Sequence, residues 1–176
     1  PQIVYNVPSR TGQNVDPETV AELATHENVA AYKAASGDVA QISAVVEHTR
    51  GAEFSVLSGD DALTLPLISL GGRGVISVAG NVEPERMVEL VAAALDGDFE
   101  RARELHFELS PLFRQLFAET NPIPVTAAMA IRGHAPERLR SPLTELSAEP
   151  RGELERMLAE LEGDHTEPDA EPTEAE

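Results

Sequence analysis

Lys33 is the only lysine among the 176 residues, and the other basic side chains, apart from five histidines, are all arginine. It lies at the end of an apolar segment with small neighbours. In such a setting the ammonium group loses hydration and its pKa falls, so a neutral amine becomes available to attack a ketone. Arginine stays protonated and cannot do this. A lysine that reaches solvent from a strand end, or that pairs with a carboxylate, explains the residue equally well.

Two further side chains could assist an amine nucleophile. Tyr5 lies at the end of another apolar segment, and Arg10 lies in the loop that follows it. A phenol can transfer protons between imine intermediates, and a guanidinium can bind a carboxylate through two hydrogen bonds. The alternatives are an aromatic side chain that fills the interior for Tyr5 and a surface charge for Arg10. Together with Lys33 these residues predict an imine-forming site.

The elements that would position these residues alternate along the first half of the chain. Apolar segments predict strands at residues 2–7, 28–33, 53–57 and 74–78, and helical periodicity lies between them at 17–25, 38–49 and 61–70. Strands that alternate with helices indicate a parallel sheet. In parallel α/β barrels the catalytic groups lie at the carboxyl ends of the strands. The predicted fold class is therefore α/β, with four strands that form half of a (β/α)8 barrel.

The second half of the chain predicts helices only, at residues 85–95, 99–118, 124–131 and 150–161. The last residues are acidic, contain proline and lack apolar periodicity, which predicts disorder. The predicted division is a half-barrel at 1–84, a helical region at 85–161 and a disordered tail at 162–176.

Composition narrows the possible functions. The net charge of −18 argues against a nucleic-acid partner. No apolar run of about 18 residues is present, so no membrane span is expected. The absence of cysteine excludes disulfides and thiolate metal sites and fits a cytoplasmic protein. High acidity with one lysine is typical of proteins from salt-loving organisms, although an acidic protein from a GC-rich genome would look similar.

Several ordered blocks resemble one known family. The octapeptide YNVPSRTG, which begins at Tyr5, is followed 28 residues after that tyrosine by Lys33. This arrangement resembles the dihydrodipicolinate synthase family, which belongs to the N-acetylneuraminate lyase superfamily of pyruvate-dependent class I aldolases. The blocks SGDDA at 58–62, GGRGVISV at 71–78 and NPIPV at 121–125 are also similar, and the resemblance extends from Pro1 to about Leu146.

The resemblance implies the second half of a TIM barrel, strands 5–8, followed by a helical region. It implies that Lys33 forms an imine with pyruvate and that Tyr5 relays protons to that imine. Arg10 would bind the carboxylate of aspartate semialdehyde. Gly59 and Ile76 would line the pyruvate pocket, Ile76 through its backbone carbonyl. No metal or organic cofactor is implied, because the imine itself is the electron sink. A homotetramer is implied.

The sequence departs from the family pattern at a few positions. Tyr32 precedes Lys33 where an aliphatic residue is usual, and Ala34 follows where an acidic residue is common. The family's Gly-Thr-Thr-type carboxylate-binding segment and its second relay tyrosine belong to the first half of the barrel. The chain also begins at a strand-like segment without an initiator methionine or a signal-peptide pattern. We therefore expect a piece of a larger protein that holds part of an active site and is inactive alone.

Two alternatives stay open at the level of sequence. The first is a 2-keto-3-deoxy sugar-acid aldolase of the same superfamily, which would share Lys33 and Tyr5. Arg10 within Ser-Arg-Thr-Gly favours aspartate semialdehyde over a sugar acid. The second is a half-barrel without catalytic function that acts in assembly or interaction. Such a half-barrel would have two unpaired strand edges, so we expect it to fold poorly or to dimerise through them.

Overall fold

A computed structural model describes residues 1–163 and contains a four-stranded parallel sheet. The strands lie in the order β1-β2-β3-β4, so each strand pairs with the next one along the chain. The predicted α/β class and the parallel sheet are confirmed. The strands are β1 Gln2–Asn6, β2 Val29–Ala34, β3 Ser55–Ser58 and β4 Gly74–Val75.

Helices connect successive strands, as the alternating pattern predicts. The helix over Pro8–Thr11 was not predicted from the sequence. Its first residue is a proline, which suits the first turn of a helix, and Gly12 ends it with a left-handed φ of 69°. The connecting helices are α1 Pro8–Thr11, α2 Pro17–Leu23, α3 Val39–His48, a 3-10 turn at Asp61–Leu63 and α4 Thr64–Ser69.

The last strand is shorter than the predicted segment 74–78, because β4 ends at Val75. The Ile76 amide still donates to the Ser58 carbonyl at 2.8 Å, but the next amides leave the sheet. The Asp61 carboxylate accepts hydrogen bonds from the amides of Val78 (3.1 Å) and Ala79 (2.9 Å). The Asp61 side chain thus takes the place of strand β3 as hydrogen-bond acceptor, and the chain continues into a short 3-10 helix, Ala79–Asn81.

The two faces of the sheet have different surroundings. One face packs on the connecting helices, and its core cluster consists of Val20, Tyr32, Ala34, Ile42, Val45, Val56 and Leu67. Alternation along each strand places Tyr5, Lys33 and Leu57 on the opposite face. That face is open at β1, where Ile3 is 51% exposed and Tyr5 is 46% exposed.

After the sheet the chain is helical. The helices are α5 Pro84–Asp96, α6 Phe99–Gln115, α7 Ile123–Ile131 and α8 Ala148–Gly163. The chain divides into two compact units. The first is Pro1–Phe113, and the second begins at Arg114. In the first unit, a second cluster joins Leu65 and Ile68 of α4 to Ala94 of α5 and Ala102 of α6. No helix within residues 1–163 is both long and apolar enough to cross a bilayer.

In the second unit, the Gln115 side chain donates to the Pro150 carbonyl at 2.8 Å, and Arg151 pairs with Glu137 at 2.6 Å. Residues 162 and 163 belong to α8, so the prediction that disorder begins at 162 is wrong for them. The remaining residues of the predicted tail, 164–176, lie outside the described part of the chain. The predicted boundary after residue 84 stays a prediction.

Candidate active site

Tyr5 and Lys33 are direct partners in the pairing of β1 with β2. The Lys33 Nζ atom lies over the Tyr5 ring, 4.2 Å from its centroid. The face of an aromatic ring attracts a cation, so this contact favours the protonated amine. Because paired residues of parallel strands point to the same face, the amine and the phenol ring share the open face of the sheet.

Gly59 closes the site on the side of β3. A Cβ atom at this position would lie 2.9 Å from both the Lys33 Cε and the Ala35 Cβ and 3.0 Å from the Ala34 carbonyl oxygen. The Gly59 amide donates to that same carbonyl at 2.7 Å. The absence of a side chain therefore lets the loop after β3 lie against the stem of Lys33.

Three effects act on the pKa of Lys33, and the net direction is downward. Burial is the largest effect and lowers the pKa, because the half-buried ammonium group loses hydration. The charge of Asp61 raises the pKa, and the charge of Arg10 lowers it. The downward shift increases the fraction of neutral amine at a given pH, which is what nucleophilic attack on a ketone requires.

Asp61 is the buried acidic residue of this site, with 2% of its surface exposed. Burial raises the pKa of its carboxyl group, and the nearby Ser77 side chain and the hydrogen bonds from the amides of Ala79 and Val78 oppose that rise. These contacts connect the loop after β3 to the segment after β4. Asp61 therefore places a carboxylate near Lys33 and fixes the segment that follows Ile76.

Arg10 and Ile76 lie at the same edge of the sheet, which is formed by the carboxyl ends of the strands. Arg10 is exposed in α1, the short helix that follows β1, and its charge acts on Lys33 through space. Ile76 directly follows β4 and is 38% exposed. The structure thus brings Tyr5, Lys33 and Gly59 into contact and places Arg10 and Ile76 at the rim. The roles of all five remain predictions.

Comparison with known proteins identifies the family. A sequence model of the Dihydrodipicolinate synthetase family matches residues 1–161. The chain belongs to this family. It is 64% identical to the 4-hydroxy-tetrahydrodipicolinate synthase of Haloarcula marismortui and 59% identical to that of Natronomonas pharaonis, with 92% of this chain covered in each case. The crystal structure of dihydrodipicolinate synthase from Aquifex aeolicus superimposes with a TM-score of 0.89 at 47% identity, over 92% of this chain.

The chain spans about half the length of these relatives: 53% and 55% of the two synthases and 55% of the Aquifex aeolicus chain. The half-barrel prediction is therefore confirmed: the four parallel strands are part of the barrel of a dihydrodipicolinate synthase family member. An incomplete barrel also gives a physical reason for the exposure of Ile3 and Tyr5. On a closed barrel this face is interior and filled by side chains.

Sequence reasoning missed the polar residues that support the site from behind. Asn6 is 1% exposed and Tyr32 is 1% exposed, and the two are joined by a hydrogen bond of 2.9 Å. A signal was present, because strand alternation places Asn6 on the same face as Val4, where an apolar residue is expected. Asp61 gave no comparable signal, because its burial depends on how two loops meet. In residues 1–163 no three His, Asp or Glu side chains are grouped so that they could bind a metal.

Proposed function

We propose that the full-length protein containing this chain is a 4-hydroxy-tetrahydrodipicolinate synthase, a lyase that condenses pyruvate with aspartate semialdehyde on the diaminopimelate route to lysine. The observation that carries the proposal is the arrangement of Lys33. Its amine lies over the Tyr5 ring at 4.2 Å, its stem is contacted by the loop at Gly59, and its pKa is lowered by burial. Membership of the dihydrodipicolinate synthase family supplies the reaction class.

The chemistry begins at the Lys33 amine. The neutral Nζ attacks the ketone carbon of pyruvate, and loss of water from the resulting carbinolamine gives a protonated imine. The iminium then accepts the electron pair that is released when a proton leaves the methyl carbon of pyruvate. The enamine so formed attacks the aldehyde carbon of the second substrate and makes the new carbon–carbon bond. The amino group of that substrate displaces Lys33 as the ring closes, which restores the enzyme.

Tyr5 is the proton relay in this proposal. Carbinolamine formation, loss of water and ring closure each move a proton between oxygen and nitrogen. The ring that carries the Tyr5 hydroxyl lies against the Lys33 amine. An uncharged phenol can donate to a leaving hydroxide and then accept a proton in the next step. No metal or organic cofactor is needed, since the covalent imine with Lys33 stabilises the carbanion.

Arg10 would select the second substrate. It is exposed near the carboxyl ends of the strands, where Lys33 also lies, and Gly12 ends its short helix. A guanidinium binds a carboxylate in a bidentate manner, and aspartate semialdehyde carries one. Gly59 and the Ile76 backbone carbonyl would border the pyruvate end of the pocket, on the other side of Lys33.

We also propose that the rest of the polypeptide covers the open regions of this chain. An apolar groove of about 500 Å³ runs along the free edge of the sheet, between β4 and α5. Its lining includes Leu57, Gly74, Met87 and Val91. Val88 on α5 and Phe107 on α6 are 69% and 68% exposed, which suits helices that also contact other subunits of a homotetramer. We place the enzyme in the cytoplasm, where its two substrates are metabolic intermediates.

Borohydride trapping tests the proposal. The full-length protein is incubated with pyruvate, reduced, and mapped by peptide mass spectrometry. We expect a pyruvate-derived adduct on Lys33 and none on the Lys33→Arg variant, because a guanidinium does not form the imine. Condensation with aspartate semialdehyde is then compared with cleavage of 2-keto-3-deoxygluconate. Faster cleavage of the sugar acid would favour the sugar-acid aldolase, and the absence of an adduct on folded enzyme would exclude the imine mechanism.

A further inference from the structure

A partly buried hydrogen-bond network lies behind the catalytic pair. The Asn6 side-chain nitrogen donates to the Tyr32 hydroxyl at 2.9 Å and to the Asn14 side-chain oxygen at 2.8 Å. The Asn6 side-chain oxygen accepts from the Val15 amide at 3.2 Å. Both N–H donors and the oxygen of the Asn6 amide are therefore used, and Tyr32 and Asn6 are each 1% exposed.

The network is placed directly behind the reacting groups. Asn6 follows Tyr5 on β1, and Tyr32 precedes Lys33 on β2. Because Tyr5 and Lys33 are paired across the strands, the Asn6–Tyr32 bond runs diagonally across the back of that pair. It therefore joins the two catalytic strands on the face opposite to the chemistry.

The same network fixes both ends of the loop that carries Arg10. Residues 7–15 leave β1 immediately after Asn6 and return to the Asn6 side chain at Asn14 and Val15. The Gln41 side chain on α3 adds a long contact of 3.4 Å to the Val15 carbonyl. The Asn6 amide is therefore the main side-chain tie between the return of this loop and the sheet.

Tyr32 determines whether the Asn6 amide can hold this position. The amide has two N–H donors, one bound to Asn14 and one bound to Tyr32. Replacement of the phenol by a phenyl ring leaves a buried N–H donor unpaired. The protein can reduce this free-energy cost if the Asn6 amide turns away or if a water molecule enters. Burial raises the pKa of Tyr32, so its hydroxyl stays neutral and can accept this bond over the working pH range.

We propose that Tyr32 is a positioning residue for the second substrate: through Asn6 it sets the loop that carries Arg10 relative to the imine on Lys33. This inference rests on the proposed function, because it assumes that Arg10 binds the carboxylate of the aldehyde. It predicts a split between the two substrates. Imine formation with pyruvate depends on Lys33 and on the loops after β3 and β4, so it is largely preserved when Tyr32 changes. Binding of the aldehyde depends on the Arg10 loop and is weakened.

The test is steady-state kinetics of full-length Tyr32→Phe, measured at a temperature where wild type and variant are both folded. We expect KM for aspartate semialdehyde to rise roughly tenfold, the size of effect expected when one buried hydrogen-bond partner is lost. KM for pyruvate and the yield of the borohydride adduct should change less than about twofold, within the precision of such comparisons. Asn14→Ala removes another member of the network and should give the same split. The double variant should be no worse than the worse single variant.

A matched control separates positioning from general loss of stability. Val45 lies in the same core cluster as Tyr32 and is fully buried. Val45→Ala should lower the melting temperature without raising KM for the aldehyde. Hydrogen exchange gives a second readout. The Val15 amide should exchange faster than in the wild type in Tyr32→Phe and at the wild-type rate in Val45→Ala.

Three outcomes would count against the inference. If Tyr32→Phe has the kinetic constants of the wild type, the positioning role is refuted. If Val45→Ala reproduces the rise in KM, the effect belongs to core stability, and the positioning role is again refuted. If the wild type itself forms no adduct on Lys33, the proposed function fails and the inference fails with it. The adduct measurement therefore separates failure of the function from failure of the inference alone.

Discussion

Tyr5 and Lys33 are paired residues of neighbouring parallel strands, and the amine of one lies 4.2 Å from the ring centre of the other. The contact joins the proposed relay and the proposed nucleophile, which are separated by 28 positions in the sequence. It also keeps a cation over the ring until the amine loses its proton. Changes at Tyr5 can therefore affect the charge on Lys33 as well as proton transfer.

Two substitutions at Tyr5 separate these effects. Tyr5→Phe keeps the ring over Lys33 and removes the hydroxyl, so imine formation should persist while kcat falls by about 10²- to 10⁴-fold, the range for loss of a general acid or base. Tyr5→Leu also removes the ring contact and should lower the pKa of Lys33 further. Stopped-flow measurement of imine formation and steady-state kcat distinguish the two. An unchanged kcat in Tyr5→Phe would remove Tyr5 from the mechanism.

The charges near Lys33 predict opposite shifts in its pH profile. Arg10 lowers the pKa of Lys33, so Arg10→Gln should move the profile of imine formation with pyruvate to higher pH. Asp61 raises that pKa, so Asp61→Asn should move the profile to lower pH. The reactive form is the neutral amine, and imine formation therefore increases as the pH rises through the pKa. The measurement is the rate at limiting pyruvate across pH, at constant ionic strength.

Asp60→Asn is the control for this experiment. Asp60 precedes Asp61 and caps the 3-10 helix by accepting a hydrogen bond from the Ala62 amide at 3.0 Å. Its removal changes the net charge by the same amount, and an asparagine can still cap. We expect a much smaller shift than for Asp61→Asn. Equal shifts in the two variants would mean that overall charge, and not the buried carboxylate, sets the pKa of Lys33.

Gly59→Ala tests the close approach of the loop after β3 to Lys33. The added methyl group would meet the Lys33 stem, the Ala35 side chain and the Ala34 carbonyl at 3.0 Å or less. The lysine side chain can move, but the backbone carbonyl cannot move without disturbing β2. We expect a loss of about 1–3 kcal/mol in the free energy of unfolding and a slower imine formation step. Denaturant unfolding measures the first effect and borohydride trapping over time the second.

Gly80→Ala provides the comparison for that variant. A Cβ at Gly80 would lie 3.2 Å from the Ser77 side chain, a milder contact that is farther from the amine. We expect a smaller change in stability and a normal rate of adduct formation. If Gly59→Ala forms the adduct at the wild-type rate, the contact with Lys33 does not position the nucleophile.

The 176-residue chain on its own should be inactive and should self-associate. Its sheet ends in two strands, β1 and β4, whose outer edges have no strand partner within residues 1–163. Unpaired edges and an apolar groove favour association between chains. Analytical ultracentrifugation should show dimers or larger species, and the condensation assay should show no turnover. Ordinary turnover by a monomeric chain would contradict the view that further residues complete the site.

The fold was largely predictable because its signals are local. The alternation of apolar segments with helical periodicity predicted the parallel sheet, and the residues at or just after strand ends predicted Tyr5, Lys33 and Arg10 as candidates. Two features were not predicted: one depends on a contact between distant segments, and the other is too short to leave a pattern. The end of β4 could not be placed because the Asp61 carboxylate takes the amides of Val78 and Ala79. The helix at Pro8–Thr11 is only four residues long, too short to show periodicity.

The supporting residues of the candidate site were harder to predict than Tyr5 and Lys33. A single lysine, with a tyrosine 28 residues before it, can be seen in the sequence. Imine formation by a side chain requires lysine, so the residue type itself is a signal. The roles of Asn6 and Tyr32 depend on a hydrogen bond across two strands, 26 residues apart in the chain. Nothing in either residue alone indicates that bond, and only the register of β1 against β2 reveals it.

The pairing of β1 with β2 has a consequence for how such a protein adapts to its surroundings. Main-chain hydrogen bonds pair Tyr5 with Lys33 across the two strands, and substitution of an exposed side chain elsewhere leaves that pairing in place. Solvent-facing residues are therefore free to change in composition without moving the reacting groups. A chain with a single lysine and a net charge of −18 can therefore keep Lys33, the proposed nucleophile, beside Tyr5. Here the demands of solubility and those of chemistry act on separate sets of residues.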